Sequence, residues 1–170
     1  HGLEHARDMQ GLGHLNGMIA LLRDGFTADS PGGRTSIRKD GSAVLDYDVS
    51  DSLADGLRRS FLAMAEVQFA AGARSVRPFQ LAGGTFTTMV AAKAAINGFA
   101  IEKFRTGIAS AHLMGGCAMG EDAKTSVVNS RGEFHGLDNL SVLDGSIFPT
   151  SIGANPQLSI YGLVAKLATG

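Results

Sequence analysis

The stretch SAHLMGGCAMG (Ser110–Gly120), continued by SVVNSRGEFHG (Ser126–Gly136) and NLSVLDGSIFPTSIGANPQLSIYGLVAKLA (Asn139–Ala168), organises this sequence of 170 residues. Short apolar runs alternate with glycine-bearing turns, a pattern that keeps returning the backbone to one place. Two chemically useful side chains are set to converge there, His112 and Asn155. His112 lies in the weakly polar run Ile108–Met114 and, taken alone, reads as a hydrogen-bonded interior histidine. Asn155-Pro156, taken alone, reads as an N-cap followed by a proline at the first helical position. Leu158, Tyr161, Val164, Ala165 and Ala168 then continue an apolar helical face.

Between these two residues lies Asp144-Gly145-Ser146, which closes a strand pattern over Leu140–Leu143. It is either an ordinary Asp-Gly turn or a carboxylate and free N–H groups offered at a strand's end, where ligands meet a sheet. Gly115, Gly116 and Gly120 allow close backbone approach to a planar or phosphorylated ligand. GGCAMG is not the G-x-G-x-x-G of a dinucleotide fold, however, and no strand–turn–helix unit surrounds it. Cys117 lacks the neighbours that would activate a thiol nucleophile.

Taken together, His112–Gly120, the Gly136–Pro149 block with its Asp144-Gly145-Ser146, and Asn155-Pro156 resemble the C-terminal signature of the glucose-methanol-choline (GMC) flavoprotein oxidoreductases. In that family a histidine some forty residues before an asparagine or second histidine forms the catalytic pair; here 43 positions separate His112 from Asn155. GGCAMG followed by DAKTSVVNSRGEFHG, and SIFPTSIGANPQLS, are most similar to the branch of long-chain alcohol oxidases and related bacterial dehydrogenases.

The resemblance implies an FAD cofactor and an alcohol whose CH–OH group is oxidised by hydride transfer to flavin N5. It implies His112 as the base and Asn155 as the residue that holds the substrate oxygen. Asp144 and Gly145 would lie against the ribityl-pyrophosphate of FAD. Asn155, Pro156 and the N–H groups of Gln157 and Leu158 would meet the flavin edge where negative charge gathers, as a helix N-terminus favours.

The expected architecture is α+β: an antiparallel sheet backed by helices, with a C-terminal strand and helix returning to the FAD domain. Residues 1–110 would be a portion of the substrate domain, and residues 111–170 the catalytic signature and that return. The sequence starts at His1 without methionine, so it reads as a C-terminal fragment whose partner is the missing N-terminal FAD-binding segment. Two other readings stay open: the same chemistry on a sterol or sugar-like substrate, and a module that kept the fold but lost catalysis.

Composition narrows the classes further. With 15 Lys and Arg against 16 Asp and Glu and no basic run, electrostatic capture of nucleic acid or of a membrane surface is not expected. No apolar stretch approaches the roughly 20 residues of a membrane span. The single cysteine cannot form an internal disulfide, which fits a reducing compartment. His1 and His5 have helical i,i+4 spacing, with His14 beyond, but no cysteine or carboxylate motif accompanies them. No metal is expected, and a metal-dependent hydrolase lacks its ligand cluster.

Upstream of the signature, Leu12, Leu15, Ile19 and Leu22 have helical spacing interrupted by Gly2, Gly11, Gly13 and Gly17, giving a broken helix or a helix after a loop over residues 1–24. Asp29–Gly33 is turn chemistry, and Arg34–Asp48 reads as a β-hairpin about Asp40-Gly41. A helix is expected from Leu53 to Ala71, capped by Ser52 with Asp55 and ended by Gly72. Its stripe is Leu53, Leu57, Phe61, Met64 and Ala65. A short strand over Ser75–Leu81 precedes a helix over Thr85–Asn97 ended by Gly98. Phe79, Phe86, Phe99 and Phe104 are either core or, by the resemblance, walls of a substrate cavity.

Overall fold

The structure is a computed structural model that describes residues 2–25, 27–81 and 83–169. Helix α1 spans Leu3–Gln10 and a 3-10 turn follows at Leu12–His14. Strands β1 (Gly33–Ile37) and β2 (Ala43–Tyr47) form an antiparallel hairpin. Helices α2 (Asp51–Ala70), α3 (Met89–Asn97) and α4 (Gln157–Thr169) complete the regular elements, with a second 3-10 turn at Gly145–Ile147. The fold is therefore α+β, with a two-stranded antiparallel sheet and helices.

The expected helix through Leu12–Leu22 is not formed, because α1 ends at Gly11 and residues 15–24 run without regular structure. Each glycine inside a helix costs roughly 1 kcal/mol against alanine, and packing offsets little of it here. Ile19 is 85% exposed, and Leu15 and Leu21 are exposed as well. Leu22 rests on α2, where both its methyl carbons lie 3.7 Å from the β-carbon position of Gly56.

The hairpin has a three-residue loop rather than a two-residue turn. Ile37 pairs with Ala43, Arg38 N–H donates to the Ser42 carbonyl (2.8 Å), and Gly41 takes the left-handed conformation (φ 83°) that closes such loops. Asp40 caps the turn by accepting from the Ser42 N–H and hydroxyl. Nearly every residue of both strands is exposed, and the helices pack on each other rather than across the hairpin. The expectation of a sheet backed by helices is corrected to that extent.

The core lies between α2 and α3. The N-cap of α2 is Ser50, whose hydroxyl accepts from Leu53 N–H (3.2 Å), not Ser52. At the other end Gly72 follows the last turn and Ala73 N–H reaches back to the Gln68 carbonyl (2.9 Å). Thr88 caps α3 through Ala91 N–H, so the helix expected from Thr85 starts only at Met89, and Gly98 ends it. Small side chains let the helices approach: Ala54 and Ala65 of α2 meet Ala92 and Ile96 of α3, the last two fully buried. Phe61 and Phe99 close the cluster edge to face, with centroids 6.4 Å apart. Phe99 is thus core, Phe86 packs against it, and Phe79 and Phe104 are exposed.

The strand expected at Ser75–Leu81 is reduced to two isolated bridges, Val76 to Phe86 and Gln80 to Thr106. Pro78 between them has no N–H to give a ladder. The strand expected at Leu140–Leu143 likewise shrinks to a bridge between Glu133 and Ser141. The segment 111–156 is a set of loops joined by single bridges around buried Val128 and Ile147.

The solvent-accessible surface totals 12264 Å². A compact monomer of 17.6 kDa exposes about 7,900 Å². Helix α4 has no buried residue at all. The chain therefore exposes far more surface than a compact monomer of its mass, and large apolar side chains such as Ile19, Leu158 and Tyr161 lie on it.

Two expectations follow from this packing. Replacing fully buried Ile96 by alanine should destabilise the α2–α3 unit by about 2–5 kcal/mol, whereas Val90→Ala, at a site 82% exposed, should change it by less than about 0.5 kcal/mol. Hydrogen exchange of α2 and α3 amides measures the difference. The second concerns Asp144, whose Oδ1 accepts from the Ser146 hydroxyl (2.5 Å) and N–H (2.7 Å). These two bonds, the hydroxyl's first, hold its carboxyl below the ordinary carboxylate range. A lowered value in the folded chain means the turn is fully supported above about pH 3.9 and released only as pH falls below that, into the lowered range. The Ser146 amide resonance should stay constant down to about pH 4 and move beneath it, and Asp144→Asn should abolish that movement.

Candidate functional site

His112 reaches its position through two backbone hydrogen bonds that lace its loop to the Asp144 turn. Cys117 N–H donates to the Ser146 carbonyl (3.0 Å) and Met119 N–H to the Ile147 carbonyl (2.9 Å). Ile147 is buried, so both bonds are shielded from competing water. Upstream, Gly107 N–H donates to the Phe79 carbonyl (3.0 Å). The segment between these anchors carries His112, half-buried, past the start of α4.

The other side of the site is α4. Pro156 is buried, and its carbonyl accepts the Ile160 N–H (2.8 Å), which gives Pro156 the N-cap position. Asn155 stands one residue before it, exposed, so the expected capping asparagine with proline at the first helical position is displaced by one residue. Proline suits that place because the position needs a carbonyl and makes no use of an N–H.

These two sides enclose a cleft of about 290 Å³ lined by Ala111, His112, Asn155, Pro156, Gln157, Ile160 and Tyr161. His112 and Asn155, 43 positions apart in sequence, thus open into one space. Gln157 and Tyr161 stand one helical turn apart, and Gln157 Nε2 donates to the Tyr161 hydroxyl (2.8 Å). The N–H groups of Gln157, Leu158 and Ser159 belong to the first turn, where no intrahelical carbonyl reaches them. They are donors at the positive end of the helix beside a cleft that holds an imidazole and a carboxamide.

Gly145 lies behind the cleft. A β-carbon there would come within 3.0 Å of Ile160 Cδ1 and 3.4 Å of the Leu113 carbonyl. The close approach at Gly145 is thus to this chain's own helix and to the residue after His112. Asp144 does not line the cleft, and its Oδ1 is taken up by Ser146. Leu158 is 83% exposed and is not among the residues that line the cleft.

Ile160 and Tyr161 belong to the cleft although the sequence marked Tyr161 only as part of an apolar helical face. Their signal was available: they follow Gln157 at i+3 and i+4, on one side of the helix. Phe79, Phe86, Phe99 and Phe104 are absent from the lining, so none walls this space within the chain. Cys117 is half-buried and unpaired with another cysteine, and it too lies outside the cleft.

A second cleft, about 180 Å³, lies at the base of the hairpin between Asp24, Gly33, Arg34, Asp46 and Asp48, and contains none of the signature residues. Among the described residues no group of three or more His, Cys, Asp and Glu is arranged to hold a metal. His1 lies outside them. No helix among the described residues is long and apolar enough to cross a membrane.

Comparison with known proteins gives the arrangement its relatives. The chain is 29% identical over 153 residues to the long-chain-alcohol oxidase FAO4A of Arabidopsis thaliana, covering 86% of this chain and 20% of that protein. It is 33% identical over 113 residues to the uncharacterized GMC-type oxidoreductase y4nJ of Sinorhizobium fredii, covering 62% of this chain and 21% of the relative. It is 41% identical over 76 residues to the paromamine 6'-oxidase of Streptomyces fradiae, covering 45% and 14%. The chain thus spans about a fifth of the length of the curated relatives it matches first. The family model of GMC oxidoreductase matches residues 33–163, a span that includes the hairpin, the α2–α3 core and the whole cleft, and on that match the chain belongs to the GMC oxidoreductase family.

Proposed function

We propose that this chain is the C-terminal, catalytic portion of an FAD-dependent oxidoreductase acting on the CH–OH group of an alcohol, with His112 as the base. The observation that carries the reading is that His112 and Asn155 open into one cleft at the N-terminus of α4. Family membership supplies the reaction class, and the cleft supplies the groups the reaction needs.

The residues present fit a flavin. The first-turn N–H groups of α4 are donors without helical acceptors, placed where a helix end favours negative charge. The exposed Leu158 offers apolar surface beside them. Gln157, Leu158, Asn155 and Pro156 would hold the flavin edge; of the Asp144-Gly145 turn, the exposed Asp144 would meet the ribityl-pyrophosphate, whereas Gly145 is buried against Ile160. When bound, FAD supplies the hydride acceptor.

The chain's own part is positioning and proton transfer. An alcohol gives up hydride readily only as its hydroxyl proton leaves, so a base must stand within about 2.6–3.2 Å of that oxygen. An unprotonated imidazole nitrogen of His112 takes this proton; imidazole is the side chain that exchanges protons near neutral pH. The carboxamide of Asn155 donates to the same oxygen and stabilises charge as it develops. Half-burial of His112 limits competing water on that side.

The surface excess supports a partner. The uncovered apolar faces of α4 and of residues 15–22 are read as the seat of an N-terminal FAD-binding segment of the same protein. In that arrangement residues 1–110 form a portion of the substrate domain, and residues 111–170 carry the signature and return to the FAD domain. A long-chain alcohol is the favoured substrate class, since the long-chain-alcohol oxidase FAO4A matches 86% of the chain whereas the paromamine 6'-oxidase matches 45%.

In the full-length protein, anaerobic addition of a long-chain primary alcohol should bleach the visible flavin absorption. His112→Ala should lower the rate of that bleaching by about 10²–10⁴-fold with FAD content unchanged. An unchanged rate would remove His112 from the role of base, and a colourless protein that takes up no FAD would overturn the cofactor. The isolated 170-residue chain, given FAD and alcohol, should show no turnover; activity from it alone would refute the need for a partner segment.

A further inference from the structure

The loop that delivers Asn155 to the cleft runs from Pro149 to Ala154 and contains no regular element. Within it, Gly153 N–H faces the Ser151 hydroxyl at 3.4 Å. A long-range hydrogen bond reaches this loop from early in the sequence: Arg23 Nη2 donates to the Ser151 carbonyl (3.1 Å), across 128 positions. The same side chain lies over Gly153, where a β-carbon would fall 2.6 Å from Arg23 Cδ and 3.0 Å from Nε. Gly153 also has φ +74°, a conformation that side chains disfavour, so the loop is shaped to receive the arginine stem.

Arg23 is itself held at a junction. On one side, Leu22 rests on Gly56 of α2. On the other, Asp24 accepts from the hydroxyls of Ser30 and Tyr47, and Gly25 N–H donates to Ser30 Oγ (3.1 Å). Tyr47 ends β2. Three successive residues therefore reach three parts of the molecule: Leu22 the helical core, Arg23 the Asn155 loop, and Asp24 the hairpin.

We propose that Arg23 is a positioning residue for Asn155. It fixes the 151–153 loop to the helical core and the hairpin, so that the carboxamide is presented to the substrate oxygen at a set distance from His112. The inference rests on the reaction assigned above, and it adds a residue that lies outside the cleft and outside the matched span of the family model. The guanidinium suits the task because it donates through its end while its apolar stem covers Gly153.

The test uses the full-length, FAD-loaded protein and the rate of anaerobic flavin reduction by a long-chain primary alcohol. Arg23→Met keeps the stem and removes the donor; the rate should fall by about tenfold to a hundredfold, with Arg23→Lys recovering most of it. In an Asn155→Ala background, Arg23→Met should change the rate no further, because the group it positions is gone. If Arg23→Met fails to hold FAD, Gly153→Ala replaces it: the added carbon displaces the arginine stem, and its loss of rate should likewise vanish in the Asn155→Ala background. An unchanged rate in the single variants, or an equal loss with and without Asn155, would overturn the proposal. Absence of alcohol-dependent flavin reduction in the unsubstituted protein would instead overturn the assigned reaction.

Discussion

The two hydrogen bonds from Cys117 and Met119 to the carbonyls of Ser146 and Ile147 hold the signature half of this chain together. Neither belongs to a helix or a strand. They cross a loop region whose buried centre consists of little more than Ile147 and Val128. Because they join the run after His112 to the turn before Pro149, they decide which residues can face α4. A polar backbone pair kept from water by two apolar side chains does here what a strand pair does in a sheet.

This economy explains what the sequence makes legible. Helices α2 and α3 and the hairpin are written in local chemistry: capping hydroxyls at Ser50 and Thr88, glycines at the ends, an Asp-Gly loop, and a stripe at helical spacing. Local ambiguity moves only the edges, as with Ser50 in place of Ser52, where two nearby serines offer the same hydroxyl, and Pro156 in place of Asn155, where a backbone carbonyl suffices. Leu12–Leu22 misleads because periodicity promises a buried face that this chain does not supply. The pieces at Ser75–Leu81 and Leu140–Leu143 mislead in another way: β-prone residues are present, but a proline or nearby glycines limit the ladder to single bridges.

For the site, the partnership of His112 and Asn155 is not visible in either residue's neighbourhood. One reads locally as an interior histidine and the other as a helix cap, and only the resemblance of the longer pattern pairs them. Ile160 and Tyr161 could be read from helix geometry once Gln157 was placed. Arg23 is the opposite case: its bond to Ser151 spans 128 positions, and nothing near it in sequence marks the contact. Side chains that support a loop from a distance are set by tertiary structure alone.

The hairpin carries a further consequence. Among the described residues no third strand joins β1 and β2, so both are edges, each with a row of backbone groups facing outward. Arg34 opposite Asp46 places charge on one face of the ribbon, while Ile37 and Leu45 lie on the other face, 78% and 77% exposed. Such a ribbon is a template for strand addition. A segment that paired with this ribbon would, by occupying its edges, also keep copies of the chain from pairing edge to edge.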